Sequence, residues 1–197
     1  MPLKGSSRVG WCLWAVLAGC VTPANLPAPV EYLDATTAAT VTYAARPLIF
    51  AHERSELAAH SRDYLTLAAV SVDRSGAIEY LLLAYGWSTV DPRYRDRSDE
   101  LRFGDDLTVA ADDRLIRPRL EGHSLQDAGL GRAVQAPPQR RWTLNVYRTD
   151  LATLRYLAQA RQITAGAQTA AGTVRFELWA DERGALKRLV DRLEGWN

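Results

Sequence analysis

Tyr64-Leu65-Thr66-Leu67-Ala68-Ala69-Val70-Ser71-Val72-Asp73, Arg74-Ser75-Gly76 and Ala77-Ile78-Glu79-Tyr80-Leu81-Leu82-Leu83-Ala84-Tyr85-Gly86-Trp87-Ser88-Thr89-Val90 run in succession over residues 64–90. Two long runs of apolar, β-branched and aromatic residues flank a short break that contains glycine, which is the pattern of a β-hairpin. Gly76 suits the positive φ of a short bulged turn. The second run is apolar on both phases of the strand period, at Leu81, Leu82, Leu83, Tyr85 and Trp87. That predicts a central strand covered on both faces.

The neighbouring segments extend the sheet. Thr40–Ala44 and Leu48–His52 are short strand-like runs separated by Arg46-Pro47, where proline removes a ladder donor. Downstream, Leu101–Phe103, Leu107–Ala110 and Leu115–Leu120 read as short strands bounded by the acidic turns Gly104-Asp105-Asp106 and Asp112-Asp113. In Trp142–Tyr147 the even positions are apolar and are expected to face the core. Thr149 or Asp150 is placed to cap a helix bearing Leu151, Leu154, Leu157 and Ala158, and Asp181 to cap a second bearing Leu186, Leu189, Val190 and Leu193, which Gly195 closes. A strand pair over Ile163–Ala167 and Thr173–Trp179 lies between them, with Val174, Phe176 and Leu178 on one face. The expected class is α+β: an antiparallel, two-layered sheet with two covering helices near the C-terminus.

The chain has 197 residues, 47% of them hydrophobic and 24% charged, which suits one domain with a sizeable core. Its formal net charge of +1, with arginines scattered along the chain, provides no field for a nucleic-acid partner, so none is expected.

The N-terminus carries the strongest functional signal. Lys4 and Arg8 precede an apolar stretch over Val9–Ala18, the layout of an export signal. A stretch of about ten residues falls short of the roughly twenty needed to span a bilayer. Leu17-Ala18-Gly19-Cys20 follows and resembles the lipobox of bacterial lipoproteins, matching it at all four positions. The resemblance implies that the Cys20 thiol accepts a diacylglyceryl group and that small residues at Ala18 and Gly19 admit the signal peptidase. The freed Cys20 amine is then acylated as well, as with palmitate. Several acyl chains make a lasting anchor, each buried methylene contributing about 0.8 kcal/mol.

Residues 1–19 are therefore expected to be a lipoprotein signal peptide, 20–31 the lipidated Cys20 with a tether containing Pro23, Pro27 and Pro29, and 32–197 a single domain. Cleavage removes Lys4 and Arg8 and no acid, leaving a formal net charge of −1. Cys12 lies in the cleaved part and Cys20 carries lipid, so no thiol is left for a disulfide, a metal cluster or catalysis. Val21 in place of Asp favours, by resemblance to enteric sorting, the periplasmic face of the outer membrane. The lipobox, Tyr32-Leu33-Asp34, Pro47-Leu48-Ile49-Phe50, Trp87-Ser88-Thr89 and a final strand-helix unit together resemble uncharacterised lipoproteins of Gram-negative bacteria. That likeness concerns core and turn residues and implies location rather than activity.

Residues suited to chemistry are few. His52, His60 and His123 lack metal-site spacing, although His60-Ser61-Arg62-Asp63 puts the types of a Ser-His-Asp triad together. Asp99, Glu100, Asp105, Asp106, Asp112 and Asp113 are acids of the kind that bind Ca²⁺, but they lack its one-three-five alternation and fit tight turns better. Arg93, Arg95 and Arg97 suit phosphate or a lipid headgroup, with Asp91, Asp96 and Asp99 available to neutralise them. Residues 121–139 form a long glycine- and proline-containing loop, the kind that is functional or disordered. Trp87, Trp142, Trp179 and Tyr147 fit core or sheet-face positions. No catalytic, metal or cofactor site is expected. The favoured function is a membrane-anchored, non-enzymatic interaction or assembly module with an envelope protein partner. The alternatives are an accessory lipoprotein of a secretion or envelope machine, and a periplasm-facing hydrolase or ligand binder using His52, His60 and Asp63.

Overall fold

The computed structural model describes residues 27–57, 60–90, 103–169 and 172–195. The hairpin over residues 64–90 is its centre. β4 (Arg62–Arg74) pairs with β5 (Ala77–Ser88) in unbroken register from Asp63↔Ser88 to Arg74↔Ala77. Because Arg74 and Ala77 still pair, the turn is a two-residue one without a bulge, and both central residues are left-handed, Ser75 at φ 55° and Gly76 at φ 92°. This is the geometry that matches the right-handed twist of the strands. The Asp73 carboxylate accepts the Gly76 N–H at 2.7 Å and holds the turn shut.

Around this hairpin the described residues form one eleven-stranded sheet, antiparallel at every pairing among them. β1 (Val30–Asp34) pairs with β2 (Ala39–Tyr43), and β2 pairs with the second half of β4. β3 (Leu48–Glu53) takes the first half of the same β4 edge. The chain leaves one position for the other through Arg46-Pro47, as the proline break predicts. The remaining strands are β6 (Leu107–Ala111), β7 (Arg114–Ile116), β8 (Arg119–Gly122), β9 (Thr143–Thr149), β10 (Ile163–Thr169) and β11 (Gly172–Ala180). The order across the sheet is β7-β6-β10-β11-β3-β4-β5-β9-β8.

The single strand expected over Leu115–Leu120 is two, divided at Arg117-Pro118, and its halves lie at opposite ends of that order. A flat path of nine strands would separate its ends by about 38 Å at roughly 4.8 Å per strand. Ile116 and Arg119 are three peptide steps apart, at most about 11 Å. The sheet therefore has to curl, and it forms a half-barrel.

Each face of the sheet has its own core. On the concave face Phe50, Leu65, Leu67, Leu82, Ala84, Tyr147 and Phe176 pack against α1 (Leu151–Gln159) and α2 (Arg183–Glu194). Leu154 and Leu157 of α1 and Leu186, Leu189, Val190 and Leu193 of α2 supply the helical side, at the expected spacing. Asp150 caps α1 by accepting the Thr153 N–H at 2.6 Å. The α2 cap position is Glu182, not Asp181, whose carboxylate accepts the Arg183 N–H at 3.2 Å from one residue further out. Gly195 ends the helix at φ −70°, without using the left-handed region. On the other face Ala68, Val70, Val72, Leu81, Leu83, Tyr85, Leu144 and Val146 pack against β2 and the 123–134 loop. β5 is apolar on both phases because it contributes to both cores.

The 121–139 segment is thus a structural cover. Ala128, Leu130 and Val134 are buried. Tyr85 donates its hydroxyl to the Val134 carbonyl at 2.8 Å, and Gln135 Nε2 donates to the carbonyls of Ala44 and Ala45 at 2.9 and 2.7 Å. Asp34, itself buried, accepts the N–H groups of Thr36 and Gly131 at 2.9 and 2.6 Å. These donors, Gly131 first, hold its carboxyl below the ordinary range although burial opposes them.

Candidate functional site

The sheet register places His52 opposite Asp63 on neighbouring strands, on the concave face. Each bonds a partner outside the pair. Asp63 accepts from Arg54 Nη1 at 2.8 Å, with the carboxylate side chain only 3% exposed. Burial by itself would lower the Arg54 pKa, but hydrogen bonds to Glu56 and Asp63 outweigh it and raise the value. His52 Nδ1 lies 3.1 Å from the Arg175 carbonyl, and its ring meets Phe176 edge-on at 5.9 Å. His60 is exposed at φ 65°. Among the described residues no serine hydroxyl bonds any of the histidines, so His52, His60 and Asp63 form no Ser-His-Asp array.

The acidic residues also disperse. Asp112 accepts the N–H groups of Arg161 and Gln162 at 2.9 and 2.8 Å and fixes the corner between α1 and β10. Those donors, Gln162 first, hold its carboxyl below the ordinary range. Asp113 accepts from the Tyr156 hydroxyl at 3.0 Å. Asp105 and Asp106 lie on the segment leading into β6. No three His, Cys, Asp or Glu side chains converge among the described residues. Asp91, Asp96, Asp99, Glu100 and the Arg93, Arg95 and Arg97 run lie outside the described residues, as does Leu101 of the expected Leu101–Phe103 strand.

One polar chain was not apparent in the sequence. Asn145 on β9, 4% exposed, donates its amide to the Gly104 carbonyl at 2.9 Å and to the Tyr147 hydroxyl at 3.0 Å. Both amide hydrogens are then used, so Asn145 Oδ1 has to accept from His123 Nδ1–H at 3.0 Å. That leaves His123 Nε2 toward Asp105, at 3.5 Å. Burial raises the pKa of Tyr147 and keeps it a neutral phenol. The chain runs from a buried phenol to an exposed imidazole across the gap between β9 and the 103–106 segment, which β10 holds through Gly104 N–H to the Gln168 carbonyl at 2.7 Å. Its chemistry is that of a staple. Asn145 gave no signal in the sequence because two of its three partners lie 41 and 22 residues away along the chain.

A second arrangement is aromatic. Tyr64 and Trp87, directly opposed on β4 and β5, stack at 4.1 Å and 9°. Trp179 meets Tyr64 edge-on at 6.2 Å, and the Arg62 guanidinium lies over Trp179 at 4.6 Å. Trp142 precedes Thr143, the partner of Gly86, and meets Tyr85 edge-on at 5.2 Å, so it occupies the same face beside Trp87. The resulting band crosses the convex face at one end of the sheet. Trp179 is 56% and Trp142 36% exposed. These are the sheet-face positions expected from the sequence, whereas Tyr147 is core.

Cys20 and the signal segment lie outside the described residues. Among the described residues no helix is long and apolar enough to cross a membrane. Compared with protein families, with curated proteins and with solved structures, the chain matches none.

Proposed function

We propose that this chain is a lipid-anchored lipoprotein of the bacterial cell envelope, held through Cys20 at the periplasmic face of the outer membrane. Its domain serves as a non-enzymatic interaction or assembly module for an envelope protein partner. The observation that carries the reading is Leu17-Ala18-Gly19-Cys20 directly behind a charged and then apolar N-terminus, which resembles the lipobox of bacterial lipoproteins at all four positions. The side chains nominated for hydrolysis support its second half, since Asp63 is bound to Arg54 and His52 to a backbone carbonyl.

The test is expression of the full chain and of Cys20→Ala in a Gram-negative host with labelled palmitate. Label in the wild-type chain and none in the variant, with the variant retaining its N-terminal segment, is the expected result. Equal labelling, or no label in either, would overturn the anchor. For the module, His52→Ala combined with His60→Ala is expected to leave the cellular phenotype of the gene intact. Its loss with folding preserved would favour a hydrolase or ligand binder.

A further inference from the structure

The aromatic band has an occupant that its chemistry and the chain's geometry select. Its exposed members are two tryptophans; Arg62 lies over Trp179, and the exposed Arg140 and Arg141 directly precede Trp142 in the chain. Among the described residues none of these three arginines has an ion pair. Arg175, on the same face, is paired with Glu177 at 2.7 Å, and Glu53 stands opposite Arg62. Among the described residues, four arginines against two glutamates give the band a cationic balance within a mature chain of formal net charge −1. Indoles beside guanidinium groups suit the interface of a bilayer, where the ring sits at headgroup level and the cation meets anionic phosphate.

The ring geometry closes part of the band to a sugar ligand. Stacking on a pyranose needs an open aromatic face, but Trp87 and Tyr64 cover each other and Arg62 covers one face of Trp179. Trp87 Nε1–H is also spent on Thr66 Oγ1 at 2.9 Å.

The tether permits contact. Val30 begins β1 opposite Tyr43, which pairs with Val70 of β4. Tyr64, in the band, is six residues along that strand, about 20 Å away. The ten steps from Cys20 to Val30 span up to about 33 Å. An acylated Cys20 can therefore lie level with the band.

We infer that the Trp142–Trp87–Tyr64–Trp179 band with its bordering arginines rests on the anionic headgroup layer of the membrane that holds the lipid anchor. The inference depends on the anchor proposed above. It gives the domain a fixed orientation, with the convex sheet end on the bilayer and the helices turned away from it.

The test uses the full lipidated chain reconstituted into vesicles of phosphatidylethanolamine and phosphatidylglycerol containing brominated phospholipid. Co-flotation reports the anchor and quenching of indole fluorescence reports the band. Co-flotation with strong quenching is expected. Trp142→Phe with Trp179→Phe removes two of the four tryptophans beyond residue 19 and is expected to remove about half of the quenching or more. Arg140→Gln with Arg141→Gln changes only exposed side chains, so it keeps the test open if the aromatic variant misfolds. It is expected to weaken quenching, as are high salt or replacement of phosphatidylglycerol by phosphatidylcholine. Co-flotation with no quenching, or with quenching that neither variant alters, would overturn the inference and leave the anchor standing. Failure to co-float would overturn both. A shift in indole emission on adding soluble glycan fragments, with none on adding vesicles, would replace the bilayer by a sugar ligand.

Discussion

Replacing Phe176 by alanine empties the middle of the concave core. The side chain is fully buried on β11, in edge-on contact with Phe103 at 5.7 Å and His52 at 5.9 Å. Truncation of such a ring costs about 3–5 kcal/mol, the transfer term and the residual cavity together. Each kcal/mol shifts the melting point of a domain of this size by about 2–4 °C, so the expected loss is about 6–20 °C. Total stability of ordinary domains is about 5–15 kcal/mol, and the variant should still fold at low temperature in most of that range. The neighbour Glu177 is 65% exposed at its side chain and points to the opposite face, so Glu177→Ala is the control and should stay within about 0.5 kcal/mol. Urea unfolding followed by circular dichroism reads both, provided the denaturant slope is unchanged. A Phe176→Ala loss below about 1 kcal/mol, or a Glu177→Ala loss as large as that of Phe176→Ala, would refute the assignment of the two faces.

Three further outcomes follow from the same contacts. Tyr85→Phe removes the hydroxyl that satisfies the buried Val134 carbonyl and should cost about 1–3 kcal/mol, with faster hydrogen exchange confined to residues 125–134. Asn145→Ala should cost a similar about 1–3 kcal/mol, because the Gly104 carbonyl and the Tyr147 hydroxyl both lose their donor; an unchanged urea midpoint would remove the staple from the account. Acidification should destabilise the chain. Asp34, Asp112, Asp127, Glu79 and Glu121 all titrate below their ordinary values when folded, held there chiefly by Gly131, Gln162, Ser124, Arg74 and Arg148 respectively. The folded chain therefore binds fewer protons, so the stabilisation is complete above the unfolded values near about pH 4 and is lost as pH falls through the lowered ones. A urea midpoint that rises between about pH 5 and pH 3 would contradict this.

The sequence was most legible where a period and a turn residue agreed. The β4–β5 hairpin, the Arg46-Pro47 break and the leucine stripes of both helices are local patterns, and each lies where it was expected. The turn itself is tighter than the bulged form that Gly76 predicts, because Ser75 adopts a left-handed conformation that its residue type does not advertise. Pro118 carried the information that splits Leu115–Leu120, but only the long-range pairings show that the halves belong to opposite ends of the sheet. The 121–139 loop looked functional or disordered because Ala128, Leu130 and Val134 follow no period; they are buried by a curved surface and not by a strand or helix face. Candidate sites were less legible than the fold. His60, Ser61 and Asp63 are adjacent in sequence and point to different tasks, while His123, Asn145 and Tyr147 meet through the sheet. The band across β4, β5, β9 and β11 depends likewise on register.

The proposal stands or falls on the N-terminus of the chain in its native membrane. Mass spectrometry of the N-terminal peptide from detergent-extracted envelope should find Cys20 as the first residue, carrying a diacylglyceryl thioether and an amide-linked acyl chain. A peptide that begins at Met1, or one that contains an unmodified Cys20, would contradict it.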